Sequence, residues 1–504
     1  MSPDRYDPRM DLINYKFPTL DLLRYYSVDE TNSEVEEAGK LRIIKALQDF
    51  DIEIDTINYT VGPTTVLYEI TLAPGIPLSE LEGLDEDLAF ALCVDSVSIM
   101  TIPRKGTIGI VIPNNKPRMV SIESVLNTRK FAESSMSLPI ALGRTITNET
   151  FVFDLTKAPH LLVSGSTGTG KSVALHTIIT SLLYKKHPAE LKFVLMDPSG
   201  AEFGNYESIK NHFLASTFDR PAIITRNCDA VSILESLCIE MEQRYELLKQ
   251  ANVRSVQDYN EMFKDRRLNP ASGHRYLPYI VVIIDSYNTL ALGYEEQMMQ
   301  HLFKLARNAG IVGIHLVISS ILPTDDLLSS NIKTYLSTRI SFKVPERSDS
   351  EIILDCDGAE KLSRPGDLLF RSEIDLIHVQ CAFIDTSETN CICQFISRQQ
   401  GYLDSYPLPD VINPEEASYW KAGGEMGNFD PLLPESAHLV VINQLGATSL
   451  IQRKFAIGYN RAGRILDQLE AIGIVGRADG ARPRPVFVSD ERQLERILET
   501  YNLQ

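Results

Sequence analysis

The feature that most constrains the fold is a glycine-rich loop, GSTGTGKS at residues 165–172, which lies between a strand pattern and a helix pattern. A short apolar run, Leu161–Val163, precedes the loop, and apolar residues with helical spacing follow it over Val173–Tyr184. Glycines at these positions let the backbone fold into a nest of N–H groups around phosphate oxygens. The loop therefore predicts a nucleoside triphosphate site. A chance match in a glycine-rich turn is the weaker alternative, because strand and helix are both present.

The residues of the loop have separate predicted roles. Lys171 can reach the outer phosphates as a point charge, and the hydroxyl of Ser172 suits a Mg²⁺ ligand. The helix that follows directs its positive end at the phosphates. The predicted cofactors are ATP and Mg²⁺. The predicted nucleotide-binding residues are Gly165, Ser166, Thr167, Gly168, Thr169, Gly170, Lys171, Ser172 and Val173.

Composition predicts a cytoplasmic protein of two to four domains, since the chain has 504 residues and a 44% hydrophobic content. No run of about 18 apolar residues predicts a membrane span, and the start lacks the layout of a signal peptide. Seven scattered cysteines predict free thiols in a reducing compartment. Membrane association stays open if the chain is a fragment of a longer protein.

The charge is segregated along the chain. A formal net charge of −18 argues against a protein that coats nucleic acid with its whole surface. Residues 431–489, however, contain seven Lys or Arg and four Asp or Glu, which gives +3 there and −21 in the remainder. A nucleic-acid-binding module at the C-terminal end is therefore plausible.

Residues 141–406 carry alternating strand and helix patterns, which predict an α/β class with a mostly parallel, doubly wound sheet. The strand candidates are Leu161–Ser164, Phe193–Met196, Tyr279–Ile284, Ile314–Ser319 and Arg339–Val344. Residues 230–263 predict one long helix. The other predicted segments are a loosely held arm (1–35), a small α/β domain (36–140), a linker (407–430), a compact domain (431–490) and a tail (491–504).

A carboxylate at the tip of a buried strand completes the predicted metal site. The apolar run Tyr279–Ile284 ends in Asp285, which can hold Mg²⁺ opposite Ser172, although an unrelated strand-end Asp is an alternative. Lys171 and Asp285 are the predicted catalytic residues. The next residue, Ser286, cannot accept a proton at its normal pKa, and losing general-base help costs about 10²–10⁴ in rate.

From about residue 36 to residue 490 the chain resembles the motor portion of the FtsK/SpoIIIE DNA translocases, most of all members from Bacteroidetes. The segments that carry the resemblance are HLLVSGSTGTGKSV, ELKFVLMDP, EMEQRY, PYIVVIID, GIHLV, TRISFKV, DSEIILD, GAEKL, GDLLF and TSLIQRKFAIGYNRAGRILDQLEAIGIVG. The resemblance implies a small (alpha) domain, a RecA-like P-loop ATPase (beta) domain and a C-terminal winged-helix (gamma) domain. It also implies a homo-hexameric ring around double-stranded DNA, acting in chromosome segregation and cell division.

The chain departs from the family's pattern in four motifs. They are Asp197-Pro198-Ser199 for Asp-Pro-Lys, Asp285-Ser286 for Asp-Glu, Ser320-Ile321-Leu322-Pro323 for Thr-Gln-Arg-Pro, and Asp349-Ser350-Glu351 for Asp-Ser-Arg. Ile321 thus replaces the glutamine that would sense the γ-phosphate, and Glu351 reverses a charge. The family's arginine ahead of GIH corresponds to Arg307 in a shifted register and to Gly310 in a gapless one, so its role is not carried over.

These departures leave three hypotheses. The chain is an active translocase, a paralogue that binds ATP and DNA but hydrolyses ATP slowly or not at all, or a secretion or conjugation ATPase. Several losses at the hydrolysis end of the site favour impaired hydrolysis. A nearby acid, Glu202, Glu295 or Glu296, could orient the water instead, or a partner subunit could supply the missing groups. The winged helix argues against the third hypothesis. The family's N-terminal membrane spans are absent, which fits either a fragment or a stand-alone member.

The C-terminal pattern is that of a winged helix. Thr448 and Ser449 are suitable N-caps for a helix over Leu450–Phe455, and a second helix over Asn460–Ile472 would enter the major groove. A strand, a basic loop and a strand follow as a wing, which suits phosphate contacts. A winged helix used for protein contacts is the alternative. The predicted DNA-binding residues are Asn460, Arg461, Arg464, Arg477, Arg482 and Arg484.

Overall fold

The structure is a computed structural model, and it describes most of the chain. The described residues are 5–24, 33–77, 80–81, 83–94, 96–102, 106–114, 118–217, 220–321, 330–373, 375–409, 430–455, 457, 459–477, 483–488 and 491–500. Within these ranges every helix is too short or too polar to span a membrane. All seven cysteines fall in these ranges and are free thiols, as predicted.

The strands of the described residues form three sheets. They are β1 (Ile54–Val61), β2 (Thr65–Leu72), β3 (Ser98–Ile102), β4 (Thr107–Pro113), β5 (Pro139–Thr145), β6 (Thr150–Asp154), β7 (His160–Ser164), β8 (Leu191–Met196), β9 (Ala215–Ser216), β10 (Ile223–Ile224), β11 (Tyr279–Ile284), β12 (Ile314–Ser320), β13 (Thr338–Phe342), β14 (Asp367–Arg371), β15 (Leu376–Cys381) and β16 (Tyr406–Pro407).

The α-helices of the same residues cover these sheets or build the C-terminal domain. They are α1 (Ser33–Asp49), α2 (Asp85–Leu92), α3 (Ile122–Leu126), α4 (Arg129–Ala132), α5 (Lys171–Lys185), α6 (Lys210–Phe213), α7 (Asn227–Gln250), α8 (Val256–Lys264), α9 (Tyr287–Ala291), α10 (Glu295–Asn308), α11 (Ser330–Lys333), α12 (Arg347–Leu354), α13 (Thr386–Ser397), α14 (Leu433–Asn443), α15 (Thr448–Phe455), α16 (Tyr459–Ala471) and α17 (Glu491–Thr500). Short 3₁₀ helices lie at Pro8–Leu12, Leu20–Leu22, Gly204–Ile209, Pro270–Ser272, Ala309–Val312 and Ala359–Lys361.

The large sheet confirms the predicted fold class. Among the described residues it has ten strands in the order β10-β8-β11-β12-β7-β13-β14-β15-β5-β6. The pairings from β10 to β13 are parallel and those from β13 to β6 are antiparallel. Each of the five predicted strands lies within two residues of an observed one. The antiparallel half was not predicted. Strands β7, β8 and β11 are buried throughout, as expected when both faces of a parallel sheet are covered.

The parallel half brings several chain segments to one edge of the sheet. Strand β7 ends at Ser164 before the loop, β8 ends before Asp197, β11 ends before Asp285, and β12 ends before Ile321. Since these strands are parallel, all four carboxyl ends meet at the same edge, where α/β sheets bind their ligands.

The small sheet is antiparallel, with the strand order β1-β2-β4-β3 and its own core around Ile43, Leu47 and Ile70. The residues after it differ from the predicted division at 140. Strand β5 starts at Pro139, and the earlier residues Ile122 and Val125 pack in the core of the large sheet.

The N-terminal arm is packed in its described part, residues 5–24, which corrects the expectation that it is loosely held. The Tyr15 ring lies 5.1 Å from that of His187 and 6.1 Å from that of Phe213. Leu12 and Leu23 are also buried. The polar composition of the arm hid these few large side chains, whose burial against the large-sheet domain stabilises the arm.

The single helix predicted over 230–263 is wrong, because the chain forms α7 and α8 with a break between them. Asn252 takes a left-handed conformation, with φ of 54°, and ends α7. Ser255 then caps α8 by accepting the N–H of Asp258 at 3.2 Å. A serine satisfies an N-terminal N–H better than it fills a helix interior, which is why the helix restarts there.

The C-terminal domain contains the predicted helix-turn-helix, the wing and an additional helix, α17. Thr448 and Ser449 lie inside α15 rather than capping it, and α16 spans Tyr459–Ala471. Single bridges, Gly446 with Arg484 and Val475 with Val486, mark the wing. The predicted tail is also corrected in its described part, since Leu494 and Leu498 of α17 are buried in the core of this domain.

Candidate functional site

The loop after β7 requires glycine at two positions. Gly165 and Gly170 have φ of 145° and 119°, which L side chains rarely adopt. A Cβ on Gly165 would lie 2.7 Å from Cβ of Phe342, and one on Gly170 would lie 3.1 Å from the backbone N of Gly366. Both the backbone conformation and the space therefore exclude larger residues.

The loop presents the uncapped end of a long helix. Helix α5 begins at Lys171, and no side chain caps its first turn. The loop is held from outside, because Ser166 N–H donates to the Lys343 carbonyl at 2.9 Å and Gly366 N–H donates to the Thr169 carbonyl at 2.8 Å. A rigid loop in front of an uncapped helix N-terminus is a site where backbone N–H groups can meet an anion. The residues present thus fit a phosphate group.

The ammonium group of Lys171 lies against the loop. Its Nζ donates to the carbonyl oxygens of Gly165 at 2.6 Å and Ser166 at 2.7 Å. Burial lowers the pKa of Lys171, and the nearby Asp285 carboxylate opposes this shift. Lys171 therefore follows β7 and Asp285 follows β11 at the same edge of the sheet, and their shared catalytic role stays a prediction.

Asp285 is a buried carboxylate at the end of β11, with 6% of its surface exposed. Its Oδ2 accepts the Ser286 hydroxyl at 3.1 Å. Burial raises the pKa of Asp285, the hydrogen bond from Ser286 opposes the shift, and the charges of Glu202 and Asp197 raise the pKa further. The site thus holds an excess of negative charge that a bound cation would relieve.

The donors at this edge suit Mg²⁺, which takes oxygen ligands and keeps several waters. Ser172 offers a hydroxyl on α5 and Asp285 a carboxylate on the sheet edge. In the part of the chain that the structure describes, no group of three or more His, Cys, Asp or Glu could hold a metal alone. A hydroxyl and a carboxylate would hold Mg²⁺ together with water and substrate phosphates.

The turn after β8 brings Glu202 to the site. Glu202 is one of the three acids that the sequence offered as candidates to orient water. The Glu202 carboxylate lies 3.5 Å from Nε2 of His176. A hydrogen bond from His176 lowers the pKa of Glu202, burial opposes this, and a hydrogen bond from Ser172 lowers the pKa as well. The other two acids make local contacts at the start of α10, where Glu295 accepts from Gly293 and Glu296 from Gln300.

The residues that stand in place of the family's motif residues have local structural roles. Ser286 adopts a left-handed conformation, with φ of 49°, at the start of α9. Ile321 is 39% exposed at the end of β12, and Leu322 and Pro323 lie outside the described residues. Glu351 forms an ion pair at 2.9 Å with Arg347 on the exposed face of α12. None of the three side chains takes over the polar function of the expected residue.

Arg307 and Gly310 lie far from this edge of the sheet. They line a cavity of about 290 Å³ together with His160 and His315 of β7 and β12. These residues come from the amino-terminal parts of parallel strands, which is the opposite edge from the loop. Arg307 therefore cannot reach the loop of its own chain.

Two of the predicted DNA-binding arginines are engaged by acids of their own domain. Arg461 donates to both carboxylate oxygens of Asp430, at 2.8 and 3.0 Å, and its side chain is 14% exposed. Arg484 pairs with Asp467 and Glu470 of α16 and is 12% exposed. These arginines hold the wing and the start of the domain against α16.

The exposed cations of the domain are a different set. Arg464 and Arg477 are exposed as predicted, and so are Arg453 and Lys454 at the end of α15. Arg453 and Lys454 contribute to the positive charge of residues 431–489 but were not among the predicted DNA-binding residues. Arg482 and the side chain of Asn460 lie outside the described residues.

The strand order and the site define a class of protein. The loop follows β7, the acid follows β11, and β12 lies between these strands in a mostly parallel sheet. This arrangement is a P-loop ATPase core of the RecA-like type, joined to a winged-helix domain. Nucleotide binding is a property of that class.

Three family models match successive parts of the chain. The FtsK alpha domain matches residues 17–114, the FtsK/SpoIIIE family matches 121–325, and the Ftsk gamma domain matches 427–489. The chain belongs to the FtsK/SpoIIIE family, as its motifs had indicated.

Named relatives match nearly the whole chain. The DNA translocase FtsK of Chlorobaculum tepidum is 40% identical over 97% of this chain and 61% of its own length. That of Lactococcus lactis subsp. cremoris is 36% identical over 95% of this chain and 63% of its own length. The chain thus spans about three fifths of these two relatives. Among solved structures, the conjugation coupling protein TcpA of pCW3 aligns with a TM-score of 0.48 and 20% identity, covering 71% of this chain and 99% of that chain.

Proposed function

We propose that this chain is the ATP-driven motor part of a double-stranded DNA translocase acting in chromosome segregation and cell division. The observation that carries the proposal is the presence, in one chain, of a phosphate-binding loop with a metal-site acid and a winged-helix domain with exposed cations. The name DNA translocase FtsK of the relatives supports the same activity. Because the chain covers only part of those relatives, the activity of the whole protein is inferred.

The nucleotide chemistry divides among a few residues. The loop N–H groups bind phosphate oxygens, and Lys171 leaves its carbonyl partners to reach the outer phosphates. Ser172 and Asp285 would hold Mg²⁺, which supplies positive charge against the phosphates during their transfer. The buried setting of Asp285 strengthens these electrostatic interactions, since the local dielectric is low.

Duplex DNA is the proposed substrate, and Arg453, Lys454, Arg464 and Arg477 are the proposed contacts in the C-terminal domain. Side chains of this kind bind phosphates and, in a major groove, guanine. A cytoplasmic homo-hexameric ring is proposed from the family resemblance. A partner subunit that supplies a catalytic group would act within such a ring.

A second candidate function is an ATP- and DNA-binding paralogue that is not a motor. Ser286, Ile321 and Glu351 favour it, because three polar groups expected at the hydrolysis end of the site are absent. The position of Glu202 beside Ser172 and His176 favours hydrolysis instead.

Translocation is tested with duplex DNA that carries a triplex-forming strand. The 504-residue chain should displace that strand with ATP and Mg²⁺, and the Lys171→Ala variant should not. ATP-dependent DNA binding with no displacement by the unaltered chain would reject the motor and support the second candidate.

A further inference from the structure

The turn between β8 and the 3₁₀ helix at Gly204–Ile209 carries an acid that no motif assigns. We infer that Glu202 positions the attacking water at the terminal phosphate of ATP, in place of the glutamate that is missing after Asp285. This inference rests on the proposed function, because it concerns the same hydrolysis site. Four observations carry it: a rigid turn, a contact with the phosphate-binding helix, unused acceptor capacity, and proximity to Asp285.

The turn that carries Glu202 is rigid because it wraps around a buried carboxylate. Asp197 is fully buried, and its Oδ2 accepts the N–H groups of Glu202 at 2.9 Å and Phe203 at 3.0 Å. Its Oδ1 accepts the hydroxyl and N–H of Ser199 at 2.6 and 3.0 Å. Ser199, which stands in place of the family's lysine in Asp-Pro-Lys, thus tightens the turn. A side chain on such a turn is preorganised, as positioning requires.

The Glu202 side chain lies against α5, the helix that follows the nucleotide loop. Its Oε2 lies 3.5 Å from Nε2 of His176, and His176 is one turn from Ser172 on the same face of α5. Nδ1 of His176 lies 2.9 Å from the hydroxyl of the buried Tyr206. We assign the tautomer in which Tyr206 donates to Nδ1, so that Nε2–H faces Glu202. The carboxylate therefore lies beside the turn of α5 that carries Ser172, the residue that would bind Mg²⁺.

The carboxylate has acceptor capacity to spare. Two carboxylate oxygens offer about four lone-pair sites, and the contacts with His176 and Ser172 use two of them. The side chain is 36% exposed, so water can reach it. The turn that carries Glu202 follows β8, which is paired with β11, and Asp285 N–H donates to the Met196 carbonyl at the end of β8 at 2.9 Å. The charge of Glu202 also raises the pKa of Asp285. Glu202 can therefore accept hydrogen bonds from a water next to bound phosphate.

The other acids near the loop do not meet these conditions. Asp197 is fully buried, and its two oxygens already accept four hydrogen bonds from Ser199, Glu202 and Phe203. Asp285 is the metal-site carboxylate. Glu295 is exposed and accepts the N–H of Gly293.

The step that Glu202 serves is hydrolysis of the terminal phosphate. The water oxygen bonds to the terminal phosphorus, and the bond to the bridging oxygen breaks with its electron pair going to ADP. One water proton stays on the attacking oxygen, and the other moves to another oxygen of the released phosphate. Orientation of water is the main demand of such a loose transition state, in which little covalent help is needed. The role of Glu202 is thus to accept hydrogen bonds and hold the water in line.

The test is the Glu202→Gln variant of the full chain, with Glu295→Gln as the matched control. Glutamine keeps an oxygen for His176 and Ser172 but turns donors toward the water. The kcat for DNA-stimulated ATP hydrolysis should fall by about 10²-fold in Glu202→Gln, because the water loses its orientation, and stay unchanged in Glu295→Gln. Affinity for a non-hydrolysable ATP analogue with Mg²⁺ and the thermal midpoint should stay at wild-type values in both variants.

Two results would contradict the role of Glu202, and a third would contradict the proposed function. If the unaltered chain hydrolyses ATP and Glu202→Gln keeps more than about a third of its kcat, Glu202 does not position the water. The same holds if the variant loses analogue binding in proportion to its activity, because Glu202 then only builds the binding site. If the unaltered chain fails to exceed Lys171→Ala, the proposed function itself fails.

Discussion

At the scale of single residues, the nucleotide site separates groups that bind from groups that orient. Lys171, Ser172 and Asp285 are adjacent to the loop or to a strand end, and the sequence predicted all three. Ser286 gives its hydroxyl to Asp285 and has no capacity to accept a proton from water. The missing acid therefore has to come from another strand end, and the turn after β8 supplies it.

A Ser286→Glu substitution tests whether the site lacks a water-positioning acid. Ser286 already takes a left-handed conformation, so a glutamate brings the expected acid without a new backbone requirement beyond that of serine. Because Glu202 already serves this role, kcat should change by less than about threefold. A rise of about 10²–10⁴ in steady-state hydrolysis would instead identify an impaired site that the substitution repairs.

The difference between the predicted and observed sites has a physical reason. Loop residues 165–172 are contiguous, and their spacing alone encodes a phosphate nest. Glu202 acquires its role through contacts with Ser172 and His176, which are about 30 residues earlier in the chain. No local pattern reports such a contact. The signal that could have found Glu202 is its position a few residues after β8, the strand that follows helix α5.

At the scale of elements, helix α16 carries two arginines with different tasks. Arg461 is clamped by Asp430, whereas Arg464 is exposed one turn further along. The helical spacing predicted both arginines on the side of the helix away from its apolar face. It could not show that Asp430 folds back onto Arg461. The wing arginine Arg484 is likewise neutralised by Asp467 and Glu470.

Alanine substitutions should separate these tasks. Arg464→Ala should weaken DNA binding and, if it contacts phosphate, reduce the salt slope of log K by about 1 without changing stability. Arg461→Ala should lower the stability of the C-terminal domain by about 1–3 kcal/mol, because Asp430 loses its charged partner. Fluorescence anisotropy with duplex DNA and thermal unfolding measure the two effects. Equal loss of DNA affinity with unchanged stability in both variants would refute the clamp.

Elements were predicted well where one local signal dominated. Five strands of the parallel half are short apolar runs between polar residues, and each of these was predicted within two positions, whereas the two-residue strand β10 was missed. The break at Asn252 and the packing of Tyr15 were missed, because a cap and a few buried aromatics outweigh the average pattern of their segments. The same is true of Leu494 in α17, whose apolar face has a partner only once the domain is folded.

At the scale of the whole molecule, a buried lysine joins three distant parts of the chain. Lys192 of β8 is 4% exposed, donates to the His212 carbonyl at 2.7 Å and lies 4.3 Å from the Tyr402 ring. Burial lowers the pKa of Lys192 to about 7, which the carboxylate of Asp11 in the arm opposes. The stability of the junction between the arm, β8 and the residues near β16 is therefore expected to depend on pH.

The pH dependence of stability should report this lysine. Its folded pKa is depressed from 10.5 to about 7, so the unfolded chain binds more protons between these values and stability rises with pH across that window. Between pH 7 and 8.5 the unaltered chain should gain about 1–2 kcal/mol, or roughly 2–6 °C in thermal midpoint, that Lys192→Met lacks. The exposed Lys249→Met is the control. An equal pH response in Lys192→Met and the unaltered chain would contradict the assignment.

The charge distribution also has a consequence for the whole molecule. An acidic body and a C-terminal domain of +3 over residues 431–489 should direct duplex DNA toward that domain and away from most of the outer surface. Two of the seven cations there are neutralised by carboxylates, so fewer are available for DNA than the sequence suggests. Specificity would then depend on a small exposed set that includes Arg464 and Arg477.

Steady-state ATP hydrolysis by the 504-residue chain in Mg²⁺, with and without long duplex DNA, tests the proposed motor most directly. An active motor should show DNA-stimulated turnover of about 1 s⁻¹ or faster, a common value for enzymes, that Lys171→Ala abolishes. A rate at saturating DNA that stays within about threefold of the Lys171→Ala background would contradict the proposed motor.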